Sequence, residues 1–530
     1  MMVSRNISFA FIGMAVFILL IIFWSLNKGL GLLDEAFYLL HLKEGVKYYA
    51  LSSWPEFFKD FPIKNIFWLR FFIFSLMAIS AGLFGMAFSK YWKINLPTLV
   101  ILPIIIVVQF VWSAPVQYIP NNSTLNQILI YLSLASFFWG INDLEKPKMN
   151  LRLVASGFFI GFVPFVMITN TPIIGAMMLL LIILFPNKKA VILISLFTIG
   201  IILSGVVFFV FFQSLDKFLI SFSEARNYLN FMDSHGLRNI IKWHYYAFIY
   251  FIGPPLTLLL LLLAFHFEVP KSKYSKLILI VIGIVVLGFV LIQDVFSSIS
   301  IFSSSLIYVL AVAALIIFVD KQKDIQKTAV LLFLLLVPYF AALGTDVAFE
   351  IRTAGYALPL ALVIMGVSFT KSKISTYAFY GLILAAFLTF LTYPFGTGWI
   401  GFKLSDQKYS LELPNGSGTL QLDQNVVETY RSFVPYLTGE ENVVVSDPKA
   451  LGYIYLCDAT PLYLYFRLSD EYLFDFMQSG NRDWGDLTFL EVKNKPFSLQ
   501  MKNRIEELVS SGNHAVVSLD NHIIYLPKSH

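Results

Sequence analysis

The sequence predicts a polytopic all-α membrane domain followed by a small extracytoplasmic α/β domain. Of its 530 residues, 58% are hydrophobic and 13% are charged, and the mean hydropathy is +0.74. Apolar segments of about 16 to 24 residues, long enough to cross roughly 30 Å of hydrocarbon as a helix, recur along the first three quarters of the chain. The last quarter instead contains short strand-like runs between turns. This composition excludes an ordinary soluble globular protein.

About thirteen apolar segments are predicted to span the membrane. The first begins after a basic residue, Arg5, and has no small-residue cleavage site after its apolar core, so we expect an uncleaved anchor rather than a signal peptide. The approximate cores are residues 7–26, 67–89, 96–117, 124–141, 153–169, 171–186, 190–213, 246–266, 276–293, 299–319, 328–344, 353–370 and 376–395.

The positions of lysine and arginine predict the orientation of these spans, because basic residues close to a span are retained on the cytoplasmic side. The opposite short turns contain a single basic residue, Arg352. We therefore expect a multi-pass protein of the cell (inner) membrane, with a cytoplasmic N-terminus and a periplasmic or otherwise extracytoplasmic C-terminal domain. The cytoplasmic clusters are Arg5, "KYWK", "EKPKMNLR", "PNKK", "KSKYSK", "DKQKDIQK" and "TKSK".

The transmembrane domain is predicted to cover residues 1–396, and the extracytoplasmic α/β domain residues 397–530. Two outward loops, residues 27–66 and 214–245, are longer than turns. Both carry aromatic residues and apolar residues at helical spacing, which predicts helices lying in the membrane interface. In the tail, "ENVVVSD" and "HAVVSLDNHIIYLP" are typical of strands, whereas "QMKNRIEELVSSG" predicts a helix that ends at Gly512.

The composition also disfavours several kinds of chemistry. The net charge is +5, but the basic residues lie between apolar runs rather than on one surface, so membrane lipids and not nucleic acid are the expected partners. The single cysteine, Cys457, excludes an intramolecular disulfide and a cysteine-based metal site, and the seven histidines lack metal-ligand spacing. We expect that no cofactor is required. Outward carboxylates leave a divalent metal ion open, although no spacing demands one.

An acid pair, Asp34 and Glu35, follows the first span in "GLGLLDEAFYLLHL". One interpretation is helix capping, because Asp34 is a suitable N-cap and Glu35 in the first turn favours the positive end of the helix dipole. The other interpretation is catalysis, because a partly desolvated carboxylate level with the lipid head groups can take a proton from a hydroxyl or an amine. The two interpretations are compatible, and the local sequence leaves both open.

Three segments resemble motifs of the polyprenyl-phosphate-sugar-dependent glycosyltransferases of the GT-C superclass. They are "LLDEAFYLL" in the first outward loop, "FFKDFPIKNIFWLRFF" before the second span, and "FEIRTAGYALPLALVI" at a late span. The chain is similar in particular to bacterial relatives of protein O-mannosyltransferases and of the aminoarabinose transferase that modifies lipid A. The resemblance implies a GT-C-like membrane domain. It also implies transfer of a sugar from a polyprenyl-phosphate carrier to a lipid, glycan or protein acceptor at the outer face.

The same resemblance implies roles for individual residues. Asp34 would be the catalytic base, with Glu35 beside it. Arg352 matches the arginine of the family's Arg-Tyr-Leu-Pro segment, and its expected role is to bind the carrier phosphate. The residues in places comparable to the charged residue, proline and arginine around the family's second span are Lys59, Asp60, Pro62 and Arg70.

The sequence departs from the family pattern at several positions. Relatives often have an aspartate after a proline at the start of the fourth span, where this chain has Asn121 and Asn122. The double proline of the first loop is reduced to Pro62. The tail has no W-W-D-Y-G motif, since "RDWGDL" differs from it. A second acid and a metal site are therefore not supported at the family positions.

The implied reaction is a single displacement that inverts the sugar's configuration. Asp34 would deprotonate the acceptor, and a fixed cation would meet the growing charge on the leaving phosphate. Arg352 suits this role because the orientation rule disfavours a basic residue on an outward turn, and a guanidinium binds phosphate in a bidentate manner. The alternative for Arg352 is an ion pair with Asp346 or Glu350 at the membrane edge.

Further candidates for substrate binding carry weaker signals. Lys59, with Asp60 beside it, is placed to reach the carrier phosphate, although a lysine in an interfacial loop more often contacts lipid head groups or solvent. Tyr38 and His41 follow Asp34 at helical spacing, where they either shape a sugar pocket or pack. The remaining candidates, for which a solvated position is the alternative, are Arg226 and His244.

Other functional classes remain as alternatives. A transporter or lipid flippase usually places ionisable residues within its spans, whereas the span interiors here are almost free of charge. An O-antigen ligase or polymerase is an alternative within related chemistry. Such enzymes rely on arginines in a large late outward loop, whereas this chain has a long first outward loop with acidic and basic residues and a folded tail. A structural or sensory membrane protein would leave the acid pair and "EIRTAGYALP" unexplained.

Overall fold

The computed structural model describes most of the chain. The described residues are 5–43, 52–94, 97–112, 118–142, 148–229, 254–269, 272–297, 301–342, 355–371, 403–440, 442–462, 470–479 and 483–528, with the single residues 242, 245, 381, 383, 384, 387, 388, 390 and 391.

The N-terminal part is helical. A helix coincides with each of the first twelve predicted span cores, whereas most of the thirteenth core lies outside the described residues. The helices are α1 (Arg5–Ser25), α2 (Asp34–Leu40), α3 (Ile66–Tyr91), α4 (Thr98–Trp112), α5 (Asn122–Asn142), α6 (Lys148–Gly161), α7 (Val163–Val166), α8 (Pro172–Leu184), α9 (Asn187–Val207), α10 (Leu215–Leu229), α11 (Pro254–His266), α12 (Lys273–Ser297), α13 (Ile301–Gln322), α14 (Ile325–Ala342) and α15 (Ala357–Lys371).

Among the described residues, three helices are long and apolar enough to cross a membrane. They cover Ile66–Tyr91, Asn122–Asn142 and Lys188–Phe212, and shorter apolar helices surround them. This result supports the membrane character of the chain. The number of spans and their orientation stay predictions.

Helices α3, α5, α6 and α9 form the best-packed part of the bundle. Helices α6 and α9 approach closely at Gly157 and Gly200, since a Cβ atom on Gly157 would overlap the carbonyl group of Phe197. Small residues allow such contact between apolar helices, for which lipid supplies no hydrophobic driving force. Between α3 and α5, the buried rings of Phe84 and Tyr131 lie 5.3 Å apart. This packing fixes the start of α5, which the candidate site uses.

The described residues of the C-terminal part form two sheets and four α-helices. A hairpin of β1 (Tyr409–Glu412) and β2 (Thr419–Leu422) precedes a four-stranded sheet of order β3-β4-β6-β5, in which β3 and β4 are parallel and the other neighbours antiparallel. The sheet strands are β3 (Val443–Val445), β4 (Thr488–Val492), β5 (His514–Ser518) and β6 (His522–Pro527). The helices are α16 (Gln424–Leu437), α17 (Leu451–Leu456), α18 (Asp470–Ser479) and α19 (Leu499–Ser510).

Three predictions for the tail are confirmed. The segment "ENVVVSD" contains β3, and "HAVVSLDNHIIYLP" contains the antiparallel pair β5 and β6. The predicted helix is α19, which begins after Ser498, whose hydroxyl accepts a hydrogen bond from the amide of Met501. Just past its end, Gly512 has a φ of +85°, a conformation that glycine adopts without a steric cost.

The two long outward loops differ from each other. In the first loop, α2 was expected to lie in the membrane interface, and this expectation is wrong. Ala36 and Leu40 are fully buried in the hydrophobic core of the C-terminal part, so protein rather than lipid covers the apolar face of α2. In the middle loop, α10 is a helix as predicted. It leaves Leu215 and Leu219 exposed, while Phe218 packs on Phe208. Its position in a membrane interface stays a prediction.

Candidate active site

The acid pair occupies the first turn of α2. Asp34 is the first helical residue and is partly exposed, whereas Glu35 is buried with 2% of its surface exposed. The N-cap position belongs to Leu33, and no side chain caps this end, so the prediction that Asp34 is the N-cap is wrong. The start of α2 is held instead by backbone bonds to Gly31 and Leu33 and by the side chain of Glu35. Two carboxylates in a first turn still suit the helix dipole.

Glu35 forms a buried ion pair with Arg70 of α3. Its Oε1 accepts hydrogen bonds from Nη2 of Arg70 at 2.6 Å and from Nε at 2.8 Å, while Oε2 accepts from the amide of Gly31 at 2.9 Å. The remaining guanidinium donors reach the carbonyl oxygens of Leu26 and Gly29, each at 2.8 Å. A buried ion pair is tolerated when further hydrogen bonds satisfy both groups, as here. The pair thus ties the exit of α1, the start of α2 and the start of α3 together.

The C-terminal part closes over this junction. The backbone amide of Gln421 in β2 donates to the carbonyl of Asn27, and the backbone carbonyl of Gln421 accepts a hydrogen bond from the amide of Gly29, each at 2.7 Å. The chain that leaves α1 therefore pairs with β2 as a short strand-like edge of the hairpin. Farther along the loop, the carbonyl of Leu32 accepts the amide of Gly452 at 2.9 Å. Burial raises the pKa of Tyr455 of α17, and the nearby charges of the ion pair act on it in opposite directions, because the Glu35 carboxylate raises this pKa and Arg70 lowers it. The acid pair is therefore at a contact between the two parts of the chain.

Tyr38 and His41 lie on α2 beyond the acid pair, and their contacts differ. The Tyr38 hydroxyl donates to Oδ1 of Asn122 at 3.4 Å, at the start of α5. His41 is buried beside the rings of Phe37 and Trp54, and its Nδ1 bonds the carbonyl of Phe37 at 2.7 Å. Burial lowers the pKa of His41 to about 3, so the ring is neutral at physiological pH. A neutral, packed imidazole suits a structural role better than contact with a phosphate.

The start of α5, where the sequence has Asn121 and Asn122, provides a helix cap and a contact point. Asn121 is buried, and its Oδ1 accepts the amide of Thr124 at 2.8 Å, as in an N-cap. One turn later, Nδ2 of Asn126 donates to the Tyr356 hydroxyl at 2.9 Å, and Nε2 of Gln127 donates to the carbonyl of Gly355. Helix α5 therefore contacts α2 through its first residue and the beginning of α15 one turn later.

The other predicted site residues fall into three groups. Lys59 and Asp60 are described and exposed on the first outward loop, away from the contacts of Glu35. For Arg226 the structure describes only the backbone, within α10. Arg352 and His244 lie outside the described residues, as do Asp346 and Glu350, so the predicted approach of Arg352 to Asp34 stays a prediction. Within the described ranges, no group of three or more histidine, cysteine or acidic residues is placed to hold a metal ion.

No protein-family model matches the chain, and no curated protein matches it. A solved structure is similar. It is the crystal structure of the Archaeoglobus fulgidus oligosaccharyltransferase in complex with Zn and sulfate, which is 11% identical, with 97% of this chain and 73% of that chain covered and a TM-score of 0.45.

Two features of the site were missed by sequence reasoning. The ion pair between Glu35 and Arg70 joins residues 35 positions apart, and the docking of β2 and α17 on the first loop joins residues about 400 apart. A signal for the first existed, because an arginine at the start of an apolar span must find a partner. No local sequence pattern predicts the docking of β2 and α17 on the first loop.

Proposed function

We propose that this protein is an integral membrane glycosyltransferase that moves a sugar from a polyprenyl-phosphate carrier to an acceptor at the outer face of the membrane. The acceptor class is a lipid, a glycan or a protein. The observation that carries the proposal is the immobilised first turn of α2. There, a partly exposed Asp34 stands beside a Glu35 carboxylate already engaged by Arg70. A general base must be held in a fixed position to take a proton from its substrate.

In the proposed reaction, Asp34 accepts the proton from the acceptor's hydroxyl or amine. The freed electron pair forms a bond to the anomeric carbon as the bond between that carbon and the carrier phosphate oxygen breaks. The sugar's configuration inverts, and the phosphate leaves on the lipid. Glu35 cannot serve the same purpose in this arrangement, because both of its oxygen atoms already accept hydrogen bonds. We assign it a positioning role that fixes the backbone beneath Asp34.

The leaving phosphate requires a cation in a site of low dielectric constant. Arg352 is our candidate, and the contacts of α5 support it. Gly355, three residues after Arg352 in the sequence, is bonded to Gln127, and Asn122 at the start of the same helix is bonded to Tyr38. Three residues of extended chain reach about 10 Å. Helix α2, which carries Asp34, and Gly355, which follows Arg352 in the sequence, therefore both contact the first turns of α5.

The proposal is tested with the full chain, purified and supplied with radiolabelled polyprenyl-phosphate sugars and a membrane extract as the source of acceptors. We expect the wild-type protein to transfer label, and Asp34→Asn to lose roughly 10²- to 10⁴-fold of the rate, which is the typical contribution of a positioned base. Because Asp34 is partly exposed, the thermal stability of this variant should stay close to that of the wild type. Asp520→Asn, an equally conservative change at an exposed position in the turn between β5 and β6, is the matched control and should retain transfer.

Equal transfer by the wild-type protein and Asp34→Asn would remove Asp34 from the mechanism. Absence of transfer with every donor, together with uptake of a labelled lipid or solute by proteoliposomes, would instead favour the transporter class.

A further inference from the structure

A groove runs along one face of α3 at the end that is predicted to lie at the outer side of the membrane. Its wall is formed by Trp68, Phe71, Phe72 and Ser75, which follow the spacing of one helical face, and the cavity has a volume of about 650 Å³. The Trp68 side chain is 55% exposed. Because α3 is long and apolar enough to cross a membrane, this open apolar wall faces the depth at which lipid chains begin.

The upper end of the groove has a different character. It is closed by Pro62, Ile63 and Lys64 of the first outward loop and by Gly416 of the turn between β1 and β2. The Lys64 side chain is exposed, and the described part of the chain gives it no ion pair. The groove therefore has an ammonium group at its rim and aromatic rings below, in the order in which a lipid presents its phosphate and its acyl chain.

The backbone around Lys64 adds no anion site of its own. Asn65 caps α3 and accepts the amides of Phe67 and Trp68, while the amide of Ile66 donates to the carbonyl of Ser417. The first N–H groups of the helix are thus already engaged. An anionic head group at this position would be held mainly by Lys64.

The groove lies on the opposite side of α3 from the candidate active site. At 100° per residue, Arg70 is about 200° around the helix from Trp68, and it turns toward Glu35 and the exit of α1. A sugar carrier in the groove would present its phosphate to Lys64, across the width of a helix from Asp34. The occupant that fits is therefore a lipid that does not react.

The geometry points to a binding site for an anionic glycerophospholipid, whose phosphate meets Lys64 and one of whose acyl chains lies along Trp68, Phe71, Phe72 and Ser75. A lipid there would brace the start of α3, which carries Arg70, against the turn of the β1–β2 hairpin. This site goes beyond the proposed transfer reaction and does not depend on it.

The test uses the full-length protein, delipidated in detergent and titrated with phosphatidylglycerol or phosphatidylcholine of identical acyl chains, with bound lipid counted by native mass spectrometry. We expect the wild type to bind one phosphatidylglycerol about fivefold more tightly than phosphatidylcholine, the ratio that corresponds to ~1 kcal/mol for one basic residue near an anionic surface. Lys64→Gln should lose this preference. Lys408→Gln, which changes an exposed lysine next to β1 outside the groove, should keep it.

A second pair of variants tests the apolar wall. Ser75→Phe should fill the groove and remove the tight site for both lipids, whereas Ile79→Phe, at an exposed position one turn farther along α3, should leave it intact. Equal affinity of the wild type for the two lipids, or a preference that survives Lys64→Gln, would overturn the proposal. Displacement of phosphatidylglycerol by polyprenyl phosphate at equal concentration, with transfer lost in Lys64→Gln, would assign the groove to the sugar carrier and also overturn it.

Discussion

Glu35 and Arg70 are both almost completely buried, and each is the charge partner of the other. Removing two ions from water costs several kcal/mol per ion, and only close contact with additional hydrogen bonds repays that cost. Here the guanidinium is fully engaged by Glu35 and by backbone carbonyl groups around the exit of α1. Loss of one partner would leave the other charge buried without a counter-charge, whereas loss of both would remove the two buried charges together with their interaction.

We therefore predict that Glu35→Gln and Arg70→Met each lower the free energy of unfolding by about 3–5 kcal/mol, and that the double variant loses clearly less than the sum. Thermal unfolding in detergent of the four proteins gives the double-mutant cycle. Lys59→Gln, at an exposed position, is the control and should stay within about 0.5 kcal/mol of the wild type. Single variants as stable as the wild type would show that the pair does not hold this junction.

At the scale of elements, α5 connects two segments that are far apart in the sequence. Asn122 contacts Tyr38 of α2, and Asn126 and Gln127 contact Tyr356 and Gly355 at the start of α15. The amides of Asn126 and Gln127 are buried in an apolar bundle, where an unpaired polar group costs about 1–3 kcal/mol. The polar face of α5 thus fixes Gly355 and Tyr356, the two residues just before α15.

If the segment that precedes α15 holds the carrier phosphate, Gln127→Leu should raise the KM for the lipid-linked donor by about tenfold or more while changing the KM for the acceptor little. Ser133→Ala is the matched control, because it removes a buried hydrogen bond of the same helix to the Ser156 carbonyl, at 2.9 Å, without touching α15. Steady-state kinetics of both variants decide the matter. A donor KM that shifts equally in the two variants would reflect a general loosening of α5 and contradict the positioning role.

Much of the element structure follows from the sequence, and its limits have physical causes. Helix positions were predictable because an apolar run of span length has few alternatives in a bilayer, and β3, β5, β6 and α19 follow local strand and capping patterns. The placement of α2 was not predictable, because its apolar face is as suitable for lipid as for Leu451 or Phe433 of the C-terminal part. Asp34 could be singled out by its position, whereas the engagement of Glu35 by Arg70 depends on tertiary geometry.

At the scale of the whole molecule, the C-terminal part acts as a clamp on the first outward loop. Lys43 forms an ion pair with Asp458 and donates to the carbonyl of Ala459 at 3.2 Å, and the amide of Gly452 donates to the carbonyl of Leu32. The contact at Gly452 is close, because a Cβ atom there would lie 2.7 Å from the Cα atom of Leu32. The clamp therefore depends on a glycine at this position.

The single cysteine of the chain offers a reporter for this clamp. Cys457 is buried in the same apolar core as Ala36 and Leu40 of α2, and burial raises the pKa of its thiol to about 12, so it should react slowly with maleimides. We predict that Gly452→Val separates α17 from Leu32, increases the labelling rate of Cys457 at least tenfold, and lowers sugar transfer because the first turn of α2 loses its support.

The control is Gly485→Ala, in the same C-terminal part, where a Cβ atom would meet only the side chain of Asp483. Its labelling rate should match that of the wild type. Circular dichroism should show the same strand content in all three proteins, since undocking leaves the β3-β4-β6-β5 sheet intact. Increased labelling with unchanged transfer would separate the clamp from the reaction, because α2 would then hold Asp34 without help from the C-terminal part. Unchanged labelling would mean that the loop follows α17 and that the two move as one unit.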